Sequence, residues 1–384
     1  MHELSRRLTG QFRVIVLGPH APGAASREVM DGVEVVRYRY APERWETLVN
    51  DGGIVTNLQL RRWKLLLVPS FILMQAWQAW RLCGRESVDV IHAHWLIPQG
   101  LMAAMLQFLP GRSPPFVVTS HGADLYALKG SVLDGLKRYV LDRASAATVV
   151  SSAMRDSMSA LNADMTRVSV QPMGVDMTHR FVPDDSVLRH PCELLFVGRL
   201  VEKKGLRHLL AALPLVHRYY PETKLTVAGF GPDESALKAE VIRLGLISHV
   251  RFIGPVIQSD LPALYRRATL FVAPFVRARS GDEEGLGLVL VEAAACACPV
   301  LAGDVPALRQ VWGDGFDEMK VDPTNPESMA DKICAVLRDP SAAQVRAITL
   351  RQTLLTKLDW AEVTVGYARV LADVAQGRSG QDAS

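Results

Sequence analysis

Two carboxylates, Glu284 and Glu292, lie eight positions apart, with a Gly-x-Gly turn and an apolar run between them. If the run is helical, its N-terminus lies near Gly285–Leu288, where backbone N–H groups without intrahelical acceptors form an anion site. At about 1.5 Å of rise per residue, the two carboxylates are roughly 12 Å apart along the helix axis. This spacing suits a sugar, a diphosphate and a second sugar in series, which is the layout of a nucleotide-sugar.

The surroundings of Glu292 are apolar, because Leu288–Val291 precede it and Ala293–Ala295 follow it. An ionised carboxylate in such a helix is costly unless it has a partner. A vicinal diol such as a ribose supplies two donors, whereas a structural Arg or Lys supplies a counter-charge. The helix alone leaves both interpretations open.

Two basic residues, Arg199 and Lys204, bracket the turn that follows the apolar run Leu194–Val197. Arg binds phosphate through its planar fork and Lys as a point charge, so the pair can converge on a diphosphate. A solvated basic loop before a helix would explain either residue alone. It would not explain why both occur in the same half of the chain as the helix-end anion site.

A histidine, His121, follows the apolar run Phe116–Val118 and precedes Gly122. The imidazole could be a polar group at a reacting sugar, and the glycine favours close approach of a ligand. A lone histidine at a strand end is also typical of a purely structural role.

These groups must be positioned by alternating strands and helices. Strands are predicted at Phe12–Leu17, Val33–Tyr40, Asp89–His94, Phe116–Ser120, Ala146–Ser151, Val168–Gln171, Glu193–Val197, Lys224–Ala228, Val250–Ile253, Leu270–Ala273, Pro299–Leu301 and Met319–Val321. Helices are predicted at 1–7, Val132–Arg143, Ser152–Leu161, Leu206–Tyr219, Glu234–Leu244, Leu261–Arg267, Leu286–Cys296 and Pro326–Leu337.

Strands that are apolar on both faces and alternate with helices indicate parallel sheets covered on both sides, and two such series indicate two doubly wound α/β domains. Ligands bind such domains beyond the carboxyl ends of the strands. Polar segments follow three of the predicted strands, at Thr119–Asp124, Gly198–Gly205 and Gly229–Pro232. Because the first lies in one domain and the others in the second, the sequence predicts an interdomain cleft.

Composition excludes several classes of protein. The chain has 384 residues, 49% of them hydrophobic and 22% charged, which is typical of an ordinary globular protein of about two domains. Residues 1–180 carry 20 basic and 15 acidic side chains and the rest carry 23 and 25, which favours an anionic acceptor or membrane surface. No nucleic-acid motif, Gly-x-Gly-x-x-Gly fingerprint or P-loop occurs, which argues against nucleic-acid binding, a nicotinamide dehydrogenase and a P-loop NTPase.

The five cysteines form no Cys-x-x-Cys pair and lack nearby histidines for zinc, which favours reduced thiols in the cytoplasm. The first seven residues are polar and do not form a secretory signal. Residues Leu65–Trp80 carry no charge but are too few to span a membrane. Tryptophans at their edges and arginines beside them, within Arg61–Arg81, suit a helix on an anionic membrane surface. A core helix of the first domain fits equally well.

Together these features resemble the retaining GT-B glycosyltransferases of family 4 (glycosyl transferases group 1), which have two facing Rossmann-like domains. The resemblance covers nearly the whole chain. It rests on Thr119–Asp124, Gly198-Arg199-Leu200 with Lys204-Gly205, Glu284–Gly287 with Glu292-Ala293, and Cys298-Pro299-Val300.

The resemblance implies an acceptor-binding domain at 1–180, a donor-binding domain at 181–355 and a last helix at 356–376 that crosses back to the first domain. The small polar tail at 377–384 is predicted to be disordered. Arg199 and Lys204 would hold and stabilise the leaving diphosphate, Glu284 would contact the transferred sugar, and His121 would reach that sugar from the first domain. The implied donor-binding residues are Gly198, Gly231, Gly285, Leu286, Gly287, Leu288 and Glu292.

The implied reaction moves a hexosyl group from a UDP- or GDP-sugar to a lipid-linked or saccharide acceptor with retention, in cell-envelope or exopolysaccharide synthesis. It requires neither a protein nucleophile nor a metal, and the expected location is the cytoplasm, at the inner face of the plasma membrane. Two alternatives stay open: a nucleotide-sugar epimerase or phosphorylase on the same fold, and a non-catalytic nucleotide-sugar binding protein.

Two departures from the family pattern lead to further expectations. Ala297 replaces a common glycine, which we expect to be a minor packing change. The chain begins inside the helix Glu3–Leu8, so Phe12–Leu17 corresponds to the second strand of the first domain. We therefore expect a gap in the centre of that sheet, and either a start placed too far downstream or an impaired protein.

Overall fold

The computed structural model describes residues 1–49, 54, 57–58, 61–110, 113–126, 128 and 130–377. The chain forms two compact units. Unit 1 comprises residues 1–149, 155–171 and 364–384, and unit 2 comprises residues 150–154 and 172–363. The functional division predicted from the sequence, with bounds at 180, 355 and 376, stays a prediction. The predicted tail lies outside the described residues, apart from Gly377.

Unit 1 contains α1 (His2–Leu8), β1 (Ile15–Pro19), β2 (Arg27–Met30), β3 (Val33–Tyr38), α2 (Leu67–Arg85), β4 (Ile91–His94), α3 (Leu101–Leu106), β5 (Phe116–Ser120), α4 (Ala123–Tyr126), α5 (Ser131–Arg143), β6 (Ala146–Val149) and β7 (Val168–Val170). Helix α6 (Ser152–Ser159) passes from unit 2 into unit 1.

The strands of unit 1 form two separate sheets, in the orders β1-β3-β2 and β4-β5-β6-β7. The second sheet is parallel, and in the first sheet β1 runs parallel to β3 while the edge strand β2 runs antiparallel to it. Leu17 of β1 and Ile91 of β4 pack against the same buried cluster of Ala79, Met102 and Leu106. Within the described ranges, the two sheets therefore pack against the same helices but do not pair with each other.

Unit 2 contains β8 (Glu193–Val197), α7 (Leu206–Val216), β9 (Lys224–Ala228), α8 (Glu234–Arg243), β10 (Val250–Gly254), α9 (Leu261–Arg267), β11 (Leu270–Ala273), α10 (Leu288–Ala295), β12 (Val300–Gly303), α11 (Pro306–Trp312), α12 (Phe316–Met319), β13 (Lys320–Val321), α13 (Pro326–Arg338) and α14 (Pro340–Leu358). Helix α15 (Trp360–Ala375) begins in unit 2 and belongs to unit 1 from Thr364 onward.

The sheet of unit 2 is parallel throughout, in the order β10-β9-β8-β11-β12-β13. Along β8, Leu194 and Phe196 pack into one buried cluster, and Leu195 and Val197 pack into the other. Successive side chains of a strand point to opposite faces, so the sheet is covered on both sides, as predicted. The strand order reverses between β8 and β11, and such switch points are where doubly wound domains bind ligands.

Helix α2 has two different faces. Leu67, Phe71, Gln75, Ala79 and Cys83 are buried at intervals of four residues. Leu73, Trp77 and Trp80 are exposed. The helix therefore belongs to the core of unit 1 and also presents apolar side chains to solvent. Within the described ranges, no helix is both long and apolar enough to cross a membrane.

Candidate active site

Loops from three neighbouring strands meet at the switch point of unit 2. The loop after β8 is bonded to the loop after β9, because Leu200 N–H donates to the Phe230 carbonyl at 2.9 Å. It is also bonded to the loop after β11, because Val276 N–H donates to the Lys203 carbonyl at 3.0 Å. The carboxyl ends of β8, β9 and β11 thus form one connected surface.

Glycines allow these loops to approach closely. A Cβ on Gly205 would lie 1.7 Å from the Pro274 carbonyl oxygen, and Gly205 has a φ of +72°. A Cβ on Gly231 would lie 2.3 Å from the Leu200 carbonyl oxygen. Only a residue without a side chain fits such positions. A Cβ on Gly198 would lie 3.7 Å from the aliphatic part of the Lys204 side chain. These glycines shape the site, while their contact with a donor stays a prediction.

The structure brings Lys204 and Glu284 together. The Lys204 Nζ donates to Glu284 Oε2 at 2.7 Å, and only 15% and 14% of the two side chains are exposed. The second carboxylate oxygen accepts from Gly287 N–H at 3.2 Å. Burial alone would raise the pKa of Glu284, but Lys204, Lys203 and this N–H hold the pKa below its ordinary value. Glu284 is therefore ionised at neutral pH.

Helix α10 begins at Leu288, two residues later than predicted, with Gly287 in a left-handed conformation as its N-cap. Gly285 and Leu286 are buried immediately before it. The first turn of a helix leaves N–H groups without intrahelical acceptors. Because Gly287 follows Glu284 so closely, the ion pair with Lys204 lies beside this helix start.

A neighbouring lysine, Lys203, was not predicted as a site residue. Its Nζ lies 3.0 Å from an Asp282 carboxylate oxygen and donates to the Glu283 carbonyl at 3.2 Å. These contacts fix the loop that carries Glu284. Nothing in the sequence distinguished Lys203 from a solvated lysine. Arg199 lies on the same turn and is exposed.

Glu292 is 7% exposed, and Tyr265, which is fully buried, donates its hydroxyl to Glu292 Oε2 at 3.0 Å. Burial raises the pKa of Glu292 to about 7, although hydrogen bonds from Tyr265 and Gln258 act in the opposite direction. In the described part of the chain, Glu292 forms no ion pair. Its hydrogen-bond partner is a phenol, while Lys204 and Arg180 also favour the ionised form of Glu292 through their charge, so the ribose and the structural counter-charge both stay open as interpretations.

The end of helix α10 corrects the expectation for Ala297. Cys298 N–H donates to the Ala293 carbonyl at 3.0 Å and Ala297 N–H to the Ala294 carbonyl at 2.9 Å, which is a Schellman motif. The motif requires a left-handed residue, and Ala297 has a φ of +51°. Alanine at this position therefore strains the backbone, and the expectation of a minor packing change is wrong.

One arginine ties the ends of α9 and α10. Arg189 donates to the carbonyl oxygens of Tyr265, Arg266, Ala268, Cys296 and Ala297. These carbonyls follow or belong to the helices that carry Tyr265 and Glu292, so Arg189 fixes the spacing of that pair. The sequence gave no signal for this role, because the acceptors are backbone atoms.

In unit 1, His121 follows the end of β5. Its backbone N–H donates to Asp124 Oδ1 at 3.2 Å, and Leu96 N–H donates to Asp124 Oδ2 at 2.8 Å. Asp124 is fully buried and thus clamps the loops after β4 and β5. The imidazole Nε2 lies 3.0 Å from His94 Nδ1, and burial lowers the pKa of His121 to about 4. His121 is therefore a neutral side chain with a defined partner.

Comparisons with known proteins agree with this fold. Residues 1–174 match the glycosyl transferase 4-like domain, and residues 189–350 match glycosyl transferases group 1. A glycogen synthase of Mycobacterium tuberculosis is 29% identical over 98% of this chain and 91% of its own length. A phosphatidyl-myo-inositol mannosyltransferase of Mycobacterium leprae is 31% identical over 76% and 75%, respectively.

Among solved structures, Anabaena HepE in complex with UDP and glucose superposes with a TM-score of 0.74. It is 17% identical, and the match covers 97% of this chain and 94% of that one, so it supports the fold alone. The two units with their parallel sheets define a GT-B glycosyltransferase. The chain belongs to the glycosyl transferases group 1 family.

Proposed function

We propose that this glycosyltransferase moves a hexosyl group from a UDP- or GDP-sugar to a lipid-linked or saccharide acceptor with retention of configuration, in the synthesis of cell-envelope or exopolysaccharide. The observation that carries the proposal is the buried Lys204–Glu284 pair at the start of helix α10.

A diphosphate fits this arrangement. The ammonium of Lys204 has three donors and gives one to Glu284, so two remain for phosphate oxygens. The start of α10 adds N–H groups and the positive end of the helix dipole. Arg199, on the same exposed turn, adds a planar fork that pairs with phosphate. Glu284, held by Lys204 and Gly287, is placed to accept hydrogen bonds from hydroxyls of the transferred sugar.

Glu292 fits a ribose better than a structural role. Its buried carboxylate has neutral donors in Tyr265 and Gln258, and the charges of Lys204 and Arg180 do not offset the effect of burial, which raises its pKa to about 7. A vicinal diol would add two further donors and would favour the ionised form. We therefore place the nucleoside beside Glu292 and the diphosphate between Lys204 and helix α10.

The chemistry follows from charge. Cleavage of the glycosyl–phosphate bond develops negative charge on the leaving diphosphate, and preorganised donors stabilise that charge. Lys204, Arg199 and the helix start supply these donors, so the proposal needs no metal. Because Glu284 is already engaged by Lys204, its assigned role is binding. We propose retention without a protein nucleophile, with the leaving phosphate taking the proton of the acceptor hydroxyl.

The relatives support this class of donor and acceptor. The names of the two mycobacterial relatives refer to glycogen and to phosphatidyl-myo-inositol, and the HepE structure contains UDP and glucose. They support a nucleotide-sugar donor and leave both acceptor classes in the proposal.

The test is transfer of labelled hexose from UDP-glucose or GDP-mannose to a panel of lipid and oligosaccharide acceptors. We expect product with the wild type, an anomeric NMR coupling that shows retention, and loss of product with Lys204→Ala. Lys224→Ala, at the opposite end of the parallel strands, is the matched control and keeps activity. Isomerisation of the donor without acceptor would indicate an epimerase, and binding without turnover on any acceptor would indicate a binding protein.

We also propose that unit 1 docks on an anionic membrane surface. The exposed side chains Leu66, Leu73, Trp77 and Trp80 follow helical spacing, and Arg81 lies 4.5 Å from the Trp77 ring centroid. Apolar side chains flanked by arginines suit the headgroup region. Sedimentation with anionic vesicles at low salt should be lost in Leu73→Glu/Trp77→Glu. Sedimentation should persist in Val132→Glu, because Val132 is an even more exposed apolar residue elsewhere in unit 1. Failure of the wild type to sediment would refute this proposal.

A further inference from the structure

Three histidines lie together, two on β4 and one directly after β5. His92 and His94 are two residues apart on β4, and their ring centroids are 4.1 Å apart. His94 and His121 are stacked, with centroids 5.2 Å apart and an interplanar angle of 16°. Only His121 of the three was singled out as a site residue.

Each ring has a defined hydrogen bond. His94 Nδ1 lies 3.0 Å from His121 Nε2, and His92 Nε2 lies 2.7 Å from Thr119 Oγ1. Thr119 is fully buried and its hydroxyl lies 2.6 Å from that of Thr148. In the part of the chain that the structure describes, Nδ1 of His121 has no hydrogen-bond partner.

A hydrogen bond between two imidazoles requires one nitrogen with a proton and one without. Burial lowers the pKa of His121 to about 4 and that of His94 well below its usual value, so both rings are neutral at pH 7. The bond joins Nδ1 of one ring to Nε2 of the other, so both rings must share the same tautomer. In water a neutral histidine favours the Nε2–H tautomer. With that tautomer in both rings, His121 donates to His94.

We propose that His94 is a positioning residue, which accepts the Nε2–H of His121 and thereby leaves Nδ1 of His121 to accept a hydrogen bond from a hydroxyl of the transferred sugar. The second half rests on the proposed function and on the family resemblance, which implies that His121 reaches the transferred sugar. The partner of one imidazole nitrogen fixes the role of the other. While His94 accepts from His121, Nδ1 of His121 can meet a hydroxyl only as an acceptor.

Two nearly isosteric substitutions isolate this role. In His94→Asn the side-chain amide lies where Nδ1 lies in histidine, so its oxygen can accept from His121. His94→Leu has a similar shape and no acceptor, and it leaves the buried Nε2–H of His121 without a partner. Thermal denaturation of both variants checks that each is folded.

The readout is the imidazole 15N spectrum of the full-length protein labelled in its ten histidines, with His121→Asn used for assignment. In the wild type and His94→Asn, we expect a protonated Nε2 and a bare Nδ1 at His121, and a shift of the Nδ1 signal on addition of donor sugar. In His94→Leu we expect the other tautomer or a mixture, and kcat/KM about tenfold lower, as loss of one hydrogen bond implies.

A protonated Nδ1 at His121 in the wild type would overturn the proposal, and so would an unchanged tautomer in His94→Leu. If the tautomer is as expected but no donor shifts the Nδ1 signal, the sugar contact is wrong. Failure of the proposed function can be distinguished from failure of this proposal. If the wild type has no transferase activity, its 15N spectrum still shows which tautomer His121 adopts.

Discussion

Glu292 should make the protein less stable as the pH rises, and Glu292→Gln should remove that loss. Burial raises the pKa of Glu292 from 4.5 to about 7, so the folded state binds its proton more tightly than the unfolded chain does. The stabilising contribution of that proton is complete below pH 4.5, declines as the pH rises and is lost above pH 7. Glutamine keeps an acceptor for the Tyr265 hydroxyl and carries no charge at any pH.

The expected magnitude follows from the shift of the pKa. Raising the pKa from 4.5 to about 7 makes ionisation in the folded state cost about 3 kcal/mol more than in the unfolded chain. Glu292→Gln should therefore match the wild type near pH 4.5 and exceed its free energy of unfolding by up to about 3 kcal/mol at pH 8. For a domain of this size that corresponds to a rise in Tm of roughly 6–12 °C.

The assay is urea or thermal unfolding of both proteins at several pH values between 4.5 and 8, with Glu284→Gln as the matched control. The pKa of Glu284 is lowered, so its ionised form stabilises the fold above pH 4.5. Glu284→Gln leaves Lys204 without its carboxylate and should be less stable than the wild type at pH 8. If Glu292→Gln is also less stable at pH 8, or if its advantage does not grow with pH, the reasoning about Glu292 is wrong.

Four further predictions concern Lys204, the backbone at Ala297, the carbonyl contacts of Arg189 and the absence of a metal from the proposed reaction. Lys204→Ala should lower kcat by about 10²–10³-fold because a charge-assisted contact to the leaving diphosphate is lost, and a steady-state assay showing near-normal kcat would contradict this role. Ala297→Gly should raise the free energy of unfolding by about 1 kcal/mol, measured by urea denaturation, because glycine adopts a positive φ without strain. Arg189→Ala should lower it by about 3 kcal/mol or more, since five carbonyls lose their donor, whereas Arg243→Ala on the surface should change it little. EDTA should leave hexosyl transfer unchanged, and restoration of a lost activity by a divalent cation would refute the metal-free site.

The strands were predictable because each is a short apolar run. Every predicted strand is present, and those of unit 2 are near their predicted bounds. The strand Arg27–Met30 was missed, because it is a largely exposed strand at the edge of its sheet and two of its four residues are charged. A half-exposed edge strand does not show the apolar pattern by which buried strands are recognised.

The site residues were only partly predictable. Lys204 and Glu284 were identified from their chemistry, and the structure brings them within 2.7 Å of each other. Tyr265 was not, because a tyrosine on a helix with a leucine four residues before it has the pattern of an ordinary core residue. The partnership of His94 with His121 depends on the pairing of β4 with β5, which spacing along the chain does not show.

Ala297 shows a different limit. Its substitution for glycine is visible in the sequence, but the left-handed backbone that makes glycine preferable depends on where helix α10 ends. The predicted end, Cys296, was one residue later than the observed end at Ala295. With the helix end placed one residue too late, Ala297 does not fall at the left-handed position of a Schellman motif.

Isothermal titration of the full-length protein with UDP and with GDP tests the central claim most directly, because it needs no acceptor. The account predicts that one of the two binds, and that Lys204→Ala and Glu292→Ala each weaken its binding by about tenfold or more while Lys224→Ala does not. Absence of binding by both nucleotides, or unchanged affinity in both site variants, would contradict the assignment of the diphosphate to Lys204 and of the ribose to Glu292.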